Sequence, residues 1–308
     1  MVTPGDRAPL FAVRTEDGGY WFSEEAGQRV ILSFVDELDE HLLAAEEKLV
    51  WVVPKPCDPP DDVTVIVDDG QIATAYGIGK ASALLDANLR VEAIVPQGEP
   101  IPDVPDIGLA APVLTVPRVL EPEFCQELVA HYERQGGQDS GFMRTDDQGR
   151  TATVHDHAHK RRQDLTLEDP LRQGLKDRVE RRLIPEIQRA FQFRATRVER
   201  WIIACYEAET GGHFKAHRDN TTKGTAHRRF AVTINLNDDF EGGELRFPEY
   251  GRRTYRARPG DALVFSCSLL HEVTPVTTGR RFCTLPFLHD EAAEQIRLQN
   301  LDQVLRSK

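Results

Sequence analysis

The stretch "PQGEPIPDVPDIGLAAP", residues 96–112, constrains this chain more than any other. It holds five prolines and almost no apolar periodicity. Proline fixes φ and has no N–H to donate, so the run sustains neither a helix nor a central strand. It divides 308 residues into domains at 1–95 and 113–308, with a proline-rich linker between them, and each is long enough to bury its own core. Charge divides at the same place. Residues 1–95 carry 18 acidic side chains against 7 Lys or Arg, whereas residues 113–308 carry 29 against 31. Acidity concentrated in this way repels a phosphate backbone, which argues against nucleic acid as a partner. It leaves the cations of the second part for small anions.

With 40% hydrophobic and 29% charged residues the usage is globular. No apolar run approaches the ~18 residues of a membrane span, and "MVTPGDRAPLFAV" lacks the basic start and apolar run of a secretory signal. A soluble, cytoplasmic protein with no membrane partner is expected. Cys57, Cys125, Cys205, Cys267 and Cys283 are scattered, with no C-x-x-C pair. That spacing makes neither a disulfide framework nor a zinc site, so reduced, mostly buried thiols are expected.

In the first part, "RVILSFV", "LVWVVP" and "VTVIVDD" read as strands, and "DELDEHLLAAEEK" and "GQIATAYGI" as helices. Apolar strands alternating with helices predict a sheet covered on both faces. The opening "PGDRAPLFAVRTEDGGYWFSEEAGQRVILSFV" resembles the start of a peroxiredoxin-type thioredoxin fold, and "VDDGQIATAYGIGKASALLDANLRVEAIV" resembles that family's later helix and strand pair. The resemblance implies a thioredoxin-like α/β domain. Its peroxidatic cysteine would follow "ILSFV", yet residues 31–50 contain none, and Cys57 in "PKPCDPPDD" lies beside acids that raise a thiol pKa. A structural, regulatory or substrate-shaping domain is expected rather than a peroxidase.

The second part opens with two helical runs, "VPRVLEPEFCQELVAHYERQ", with Phe124, Leu128 and His131 at helical spacing, and "LRQGLKDRVERRLIPEIQRAFQ". Seven or eight short strand signals follow, from "RVERWIIACYE" through "GELRFPEY" to "RRFCTLPFL", separated by "DDFEGG", "PGD" and "TTGR" turns. The pattern predicts an antiparallel barrel or sandwich backed by helices, with a ligand held in its mouth. The fold class expected for the whole is two-domain α+β.

His217 and Asp219 in "GGHFKAHRDN" stand two apart, which on a strand puts both on one face. His271, at the head of a late strand in "SLLHEVTPV", supplies a third donor. Two imidazoles and one carboxylate grip Fe(II) from one side and leave positions open for substrate and oxygen. A 2-oxoglutarate on such an iron needs a cation for its far carboxylate. Arg281, ten residues after His271, has a planar fork suited to that task, while Arg280 faces the other way on a regular strand.

The ordered string H-x-D, E-G-G-E-L, P-G-D, H-x-V-x-P-V and Arg resembles the prolyl 4-hydroxylase-like iron and 2-oxoglutarate dioxygenases over about residues 113–290. The resemblance implies a double-stranded β-helix (jelly-roll) with His217, Asp219 and His271 on iron and Arg281 on the co-substrate. It also puts Tyr206 in the pocket and Thr233 or Asn235 as a hydrogen-bond donor to the far carboxylate. The implied cofactors are Fe(II), 2-oxoglutarate and O2, with ascorbate allowed as a reductant. The implied reaction hydroxylates an unactivated C–H bond, of proline or a similar cyclic amino acid, free or in a peptide, releasing succinate and CO2. Other amino acids or natural products remain alternatives, as does a non-catalytic metal-binding sensor. Phe214 stands where many relatives carry tyrosine, which makes the pocket wall less polar. The "VHDHAHKRR" histidines, His155, His157 and His159, read as a solvated loop or part of a substrate wall, with Arg162 and Asp164 as substrate contacts. The C-terminal "EAAEQIRLQNLDQVLRSK" reads as an amphipathic helix that packs on the barrel or pairs two subunits as a homodimer.

Overall fold

The computed structural model describes residues 1–15, 18–58, 60–104, 110–146 and 148–304. The linker expected over 96–112 lies partly outside them, at 105–109. Two compact units emerge: Met1–Ala111 together with Phe247–Arg253, and Pro112–Arg246 together with Thr254–Lys308.

The first unit is built on one five-stranded sheet in the order Thr64–Val67, Lys48–Val53, Val30–Ser33, Ala81–Leu85, Val91–Pro96. Val30–Ser33 runs parallel to Lys48–Val53 and antiparallel to Ala81–Leu85. Because strand side chains alternate, Val30 and Leu32 enter one apolar cluster while Ile31 enters another on the opposite face. The helix expected over 36–48 is a single turn, Glu40–Leu43. Asp39 accepts the N–H groups of His41 and Leu42 and so starts it late, while the like charges of Asp36 and Glu40, four apart, oppose an earlier start.

In the second unit, the helix Pro122–Gln135 buries Phe124, Cys125, Leu128 and Tyr132. His131, expected on that face, is only half-buried, and Tyr132 takes its place. The second helical run is α-helical over Leu171–Arg178, widens to a π turn over Val179–Leu183, and returns to α over Ile184–Phe191. Pro185 has no N–H to close the α-helical bond four residues back, and the wider turn accommodates that loss.

Two antiparallel sheets follow. The larger runs Arg197–Glu199, Phe287–His289, Phe230–Asn235, Val276–Thr284, Ile202–Glu207, Gln163–Thr166, Gln138–Asp139, with Ala262–Ser266 also paired to Phe230–Asn235. The smaller runs Lys160–Arg161, His213–His217, His271–Val273, Leu245–Arg246, Thr254–Tyr255. The unit is thus mixed and sheet-rich with few helices. The strand expected over "GELRFPEY" stops at Arg246, because Pro248 cannot donate to a ladder; Pro248–Tyr250 is a 3-10 turn. The helices seal the outer face of the larger sheet, with Leu128, Leu175 and Ile187 in one core with Ile203, Val232 and Phe282.

The C-terminal helix is Glu291–Gln299, capped by the Asp290 carboxylate, which accepts the Ala293 N–H. No described helix is long and apolar enough to cross a membrane.

Candidate metal centre

The smaller sheet sets the two histidines side by side. His217, at the end of its strand, registers against His271 at the start of the next, and the ring centroids stand 4.3 Å apart. Asp219 follows on the turn, where its N–H donates to the Cys267 carbonyl at 3.0 Å. The Asp219 carboxylate reaches 3.6 Å from His217 Nε2 and 3.3 Å from His271 Nε2. Among the described residues these three form the one group able to hold a metal ion, with donor atoms all within 4.8 Å of one another.

Backbone carbonyls fix which nitrogen each imidazole offers. His217 Nδ1 lies 2.8 Å from the Lys215 carbonyl and His271 Nδ1 lies 3.0 Å from that of Leu269. Only a protonated Nδ1 can donate there, which leaves the Nε2 lone pairs directed at Asp219. Burial, with His271 alongside, pushes the His217 imidazole down to about 4, so it is neutral and able to ligate. Burial pushes the Asp219 carboxyl up, but His271 and His217 outweigh it and hold the group well below the usual carboxylate range. Two imidazoles with Nε2 turned toward one ionised carboxylate are the donor set a divalent cation needs, so these residues fit Fe(II). Phe214 stacks on the His217 ring at 3.5 Å between centroids, fixing its plane.

A cavity of about 440 Å³ opens beside this group, lined by both sheets. At its inner end Arg281 is 3% exposed and registers against Tyr206 on the neighbouring strand. Arg281 Nη2 donates to Thr233 Oγ1 at 2.9 Å, and its Nε and Nη2 donate to Asn235 Oδ1 at 3.1 and 3.0 Å. Nη1 is buried with no partner. Asn235 uses one of its two amide N–H groups on the Ala257 carbonyl at 2.8 Å, while its Oδ1 orients Arg281. Arg280 points away and pairs with Glu133. A buried guanidinium with one N–H pair unfilled fits the far carboxylate of 2-oxoglutarate.

The remaining expected residues separate. Tyr206 is buried at the cavity, where Arg162 Nη1 donates to its hydroxyl at 3.3 Å. Arg162 and Asp164 form a two-bond ion pair, both bonds 2.7 Å. His159 lines the cavity; His155 and His157 are more than half exposed and share Asp139. Cys57 is exposed and the other four thiols are buried. Lys160, Arg200 and Arg228 also reach the cavity, although no sequence motif marks them.

Residues 201–289 match the model of the 2OG-Fe(II) oxygenase superfamily. The second unit carries a 2OG-Fe(II) oxygenase domain. The chain is accordingly an Fe(II)/2-oxoglutarate-dependent dioxygenase, and its cofactors are Fe(II), 2-oxoglutarate and O2. A PKHD-type hydroxylase of Shewanella baltica is 27% identical over 203 residues, covering 60% of this chain and 84% of the relative. Another, of Delftia acidovorans, is 33% identical over 110 residues, covering 32% and 49%. Among solved structures, a Pseudomonas putida prolyl-4-hydroxylase has a TM-score of 0.43 and 14% identity, covering 59% of this chain and 94% of that one. The oxygenase match begins at Trp201 and leaves Met1–Ala111 of the first unit outside it.

Proposed function

We propose that the oxygenase domain hydroxylates an unactivated C–H bond of proline or a similar cyclic amino acid, free or in a peptide. In this reading His217, Asp219 and His271 hold the iron and Arg281 holds the far carboxylate of 2-oxoglutarate. The observation that carries it is the convergence of the three donors and the unfilled Arg281 Nη1 on one cavity. Bound there, the iron would couple decarboxylation of the keto acid to succinate with insertion of one oxygen atom into the substrate. The rest is the chain's own work. Thr233 and Asn235 aim the Arg281 fork, Tyr206 narrows the cavity beside it, and Phe214, Phe265 and Val273 exclude water. No side chain is assigned a proton transfer. The hydroxylase names of the relatives support the reaction class, and the resemblance of the motif string to prolyl 4-hydroxylases supports the ring substrate.

We read the first unit as a thioredoxin-like domain over residues 1–95 that lacks a peroxidatic cysteine, supported by its mixed five-stranded sheet and by the absence of any cysteine in residues 31–50. Five free thiols, four of them buried, support a cytoplasmic location. Ascorbate serves as an auxiliary reductant in this reading. The test measures succinate release and product mass with a panel of imino acids and prolyl peptides. An added oxygen atom on one of them, lost together with iron binding in His217→Ala and His271→Ala, is the expected result. Parental succinate release by either variant defeats the assignment.

A further inference from the structure

The cavity holds more positive charge than the co-substrate accounts for. Besides Arg281, its wall presents Lys160, Arg162, Arg200 and Arg228, and Arg144 and Arg218 also line it. Two of these are neutralised in place: Arg162 by Asp164, and Arg228 by Glu199 through bonds of 2.9 and 2.5 Å. Lys160 and Arg200 have no carboxylate within ion-pair distance among the described residues.

Arg200 is placed with care. Its φ of 69° is in the left-handed region that a non-glycine residue adopts only at a cost. Nη2 donates to the Leu285 carbonyl at 3.3 Å and the guanidinium lies 4.7 Å from the Phe287 ring centroid. Nε is buried with no partner at all. Lys160 is 3% exposed; its Nζ donates to Ser140 Oγ at 2.8 Å and to the Gly141 carbonyl at 2.6 Å, which engages two of an ammonium's three donors. Burial, and after it the neighbouring Arg162, push that ammonium down to about 5, so Lys160 carries a charge near neutral pH only when an anion sits beside it.

Position along the neighbouring strand separates Arg200 from the co-substrate anchor. Tyr206, opposite Arg281, stands near one end of the strand Ile202–Glu207, and Arg200 lies two residues before the other end. From Ile202 to Tyr206 is about 13 Å of strand. Arg281 is carried by the neighbouring strand beside one end and Arg200 precedes the other end, and both line the cavity.

We propose that the organic substrate carries a free carboxylate, and that this group docks on Arg200 with Lys160 beside it, at the end of the cavity away from Arg281. Arg200 is then a specificity-determining residue, and a free or C-terminal imino acid is favoured over a prolyl residue inside a peptide. The inference rests on Arg281 being the co-substrate anchor.

The test reads binding rather than turnover, by calorimetry on the full chain loaded with Fe(II) and 2-oxoglutarate in the absence of oxygen. The probes are L-proline, L-pipecolate, glycyl-L-proline and the matching amides. At least one acid is expected to bind about tenfold or more tightly than its amide, the scale of one charge-assisted contact. Arg200→Gln removes that preference and leaves 2-oxoglutarate affinity within about twofold, which also shows that the site is folded; Arg200→Lys keeps part of the preference. Tight binding of glycyl-L-proline assigns a peptide terminus, and its exclusion assigns the free amino acid. Equal binding of acids and amides, no binding by any probe at millimolar concentration, or an acid preference surviving in Arg200→Gln overturns the proposal. Loss of 2-oxoglutarate binding in Arg200→Gln but not in Arg281→Gln moves the co-substrate anchor to Arg200 and overturns both readings. Loss in Arg281→Gln alone, with no acid preference, overturns only this one.

Discussion

At the scale of single residues, the centre depends on what each side chain has been left free to do. Arg281 is held by Thr233 and Asn235 on one side and has Nη1 unfilled on the other. Lysine keeps the charge but not the fork. Arg281→Lys is therefore expected to weaken 2-oxoglutarate by about 10–100-fold, read by calorimetry, while iron affinity stays at the parental value. Asp164 supports a pH prediction. Burial pushes its carboxyl up, but Arg162 and Arg200 outweigh burial and hold it at about 2, against an ordinary 3.8. A pKa lowered on folding stabilises the native state above the unfolded value, and that stability is lost as pH falls from about 4 toward about 2. Asp164→Asn is expected to cost at least about 2 kcal/mol at pH 7, with the gap to the parent narrowing over that acid window. Urea titrations at stepped pH measure it, and a gap constant down to pH 2 contradicts the assignment.

Elements explain motifs whose residues touch no ligand. In "EGGEL", Gly242 has φ +72 and Gly243 has φ +63, conformations that glycine adopts without cost. A Cβ on Gly243 would stand 2.7 Å from Val276 Cγ2 and 3.1 Å from Arg281 Cδ. The second glycine thus keeps room for the stem of the co-substrate anchor. Gly243→Ala is expected to raise the 2-oxoglutarate KM about tenfold or more with iron binding intact. Gly242→Ala, whose Cβ would lie 2.1 Å from the Pro275 carbonyl oxygen, is expected instead to lower stability throughout, by roughly 1–3 kcal/mol. Calorimetric melting separates the two outcomes. In the helix Pro122–Gln135, Leu128 is fully buried against the larger sheet, so Leu128→Ala is expected to cost about 2–5 kcal/mol.

For the whole molecule, the two units have separate apolar cores, and the candidate iron and 2-oxoglutarate residues belong to the second alone. Ligands that bind only the native state stabilise it by mass action, about 2.7 kcal/mol at 100 times Kd. Adding Fe(II) with 2-oxoglutarate is expected to raise the melting transition of the second unit, and a chelator to lower it, while the transition of the first unit stays in place. Scanning calorimetry shows whether both move.

The sequence alone marked the three candidate donors through the order of H-x-D, His and Arg, although Asp219 reaches the group from the turn after the strand and not from a shared strand face. It also carried the alternation of strands and helices in the first unit, but not the assignment of Phe247–Arg253 to that unit. It was silent or misleading where distant residues decide. The helix read over 36–48 is one turn because the Asp39 side chain caps it late, a local signal that was missed, whereas the Asn235 carboxamide oxygen is taken up by Arg281 from a distant strand. Lys160 lies in "VHDHAHKRR" without having been singled out and Arg200 belongs to no site motif; only the fold brings both to one cavity with fewer carboxylates than basic side chains. Periodicity and spacing are local properties that a string of residues can encode, whereas charge balance and hydrogen-bond satisfaction are sums over neighbours that only tertiary packing chooses.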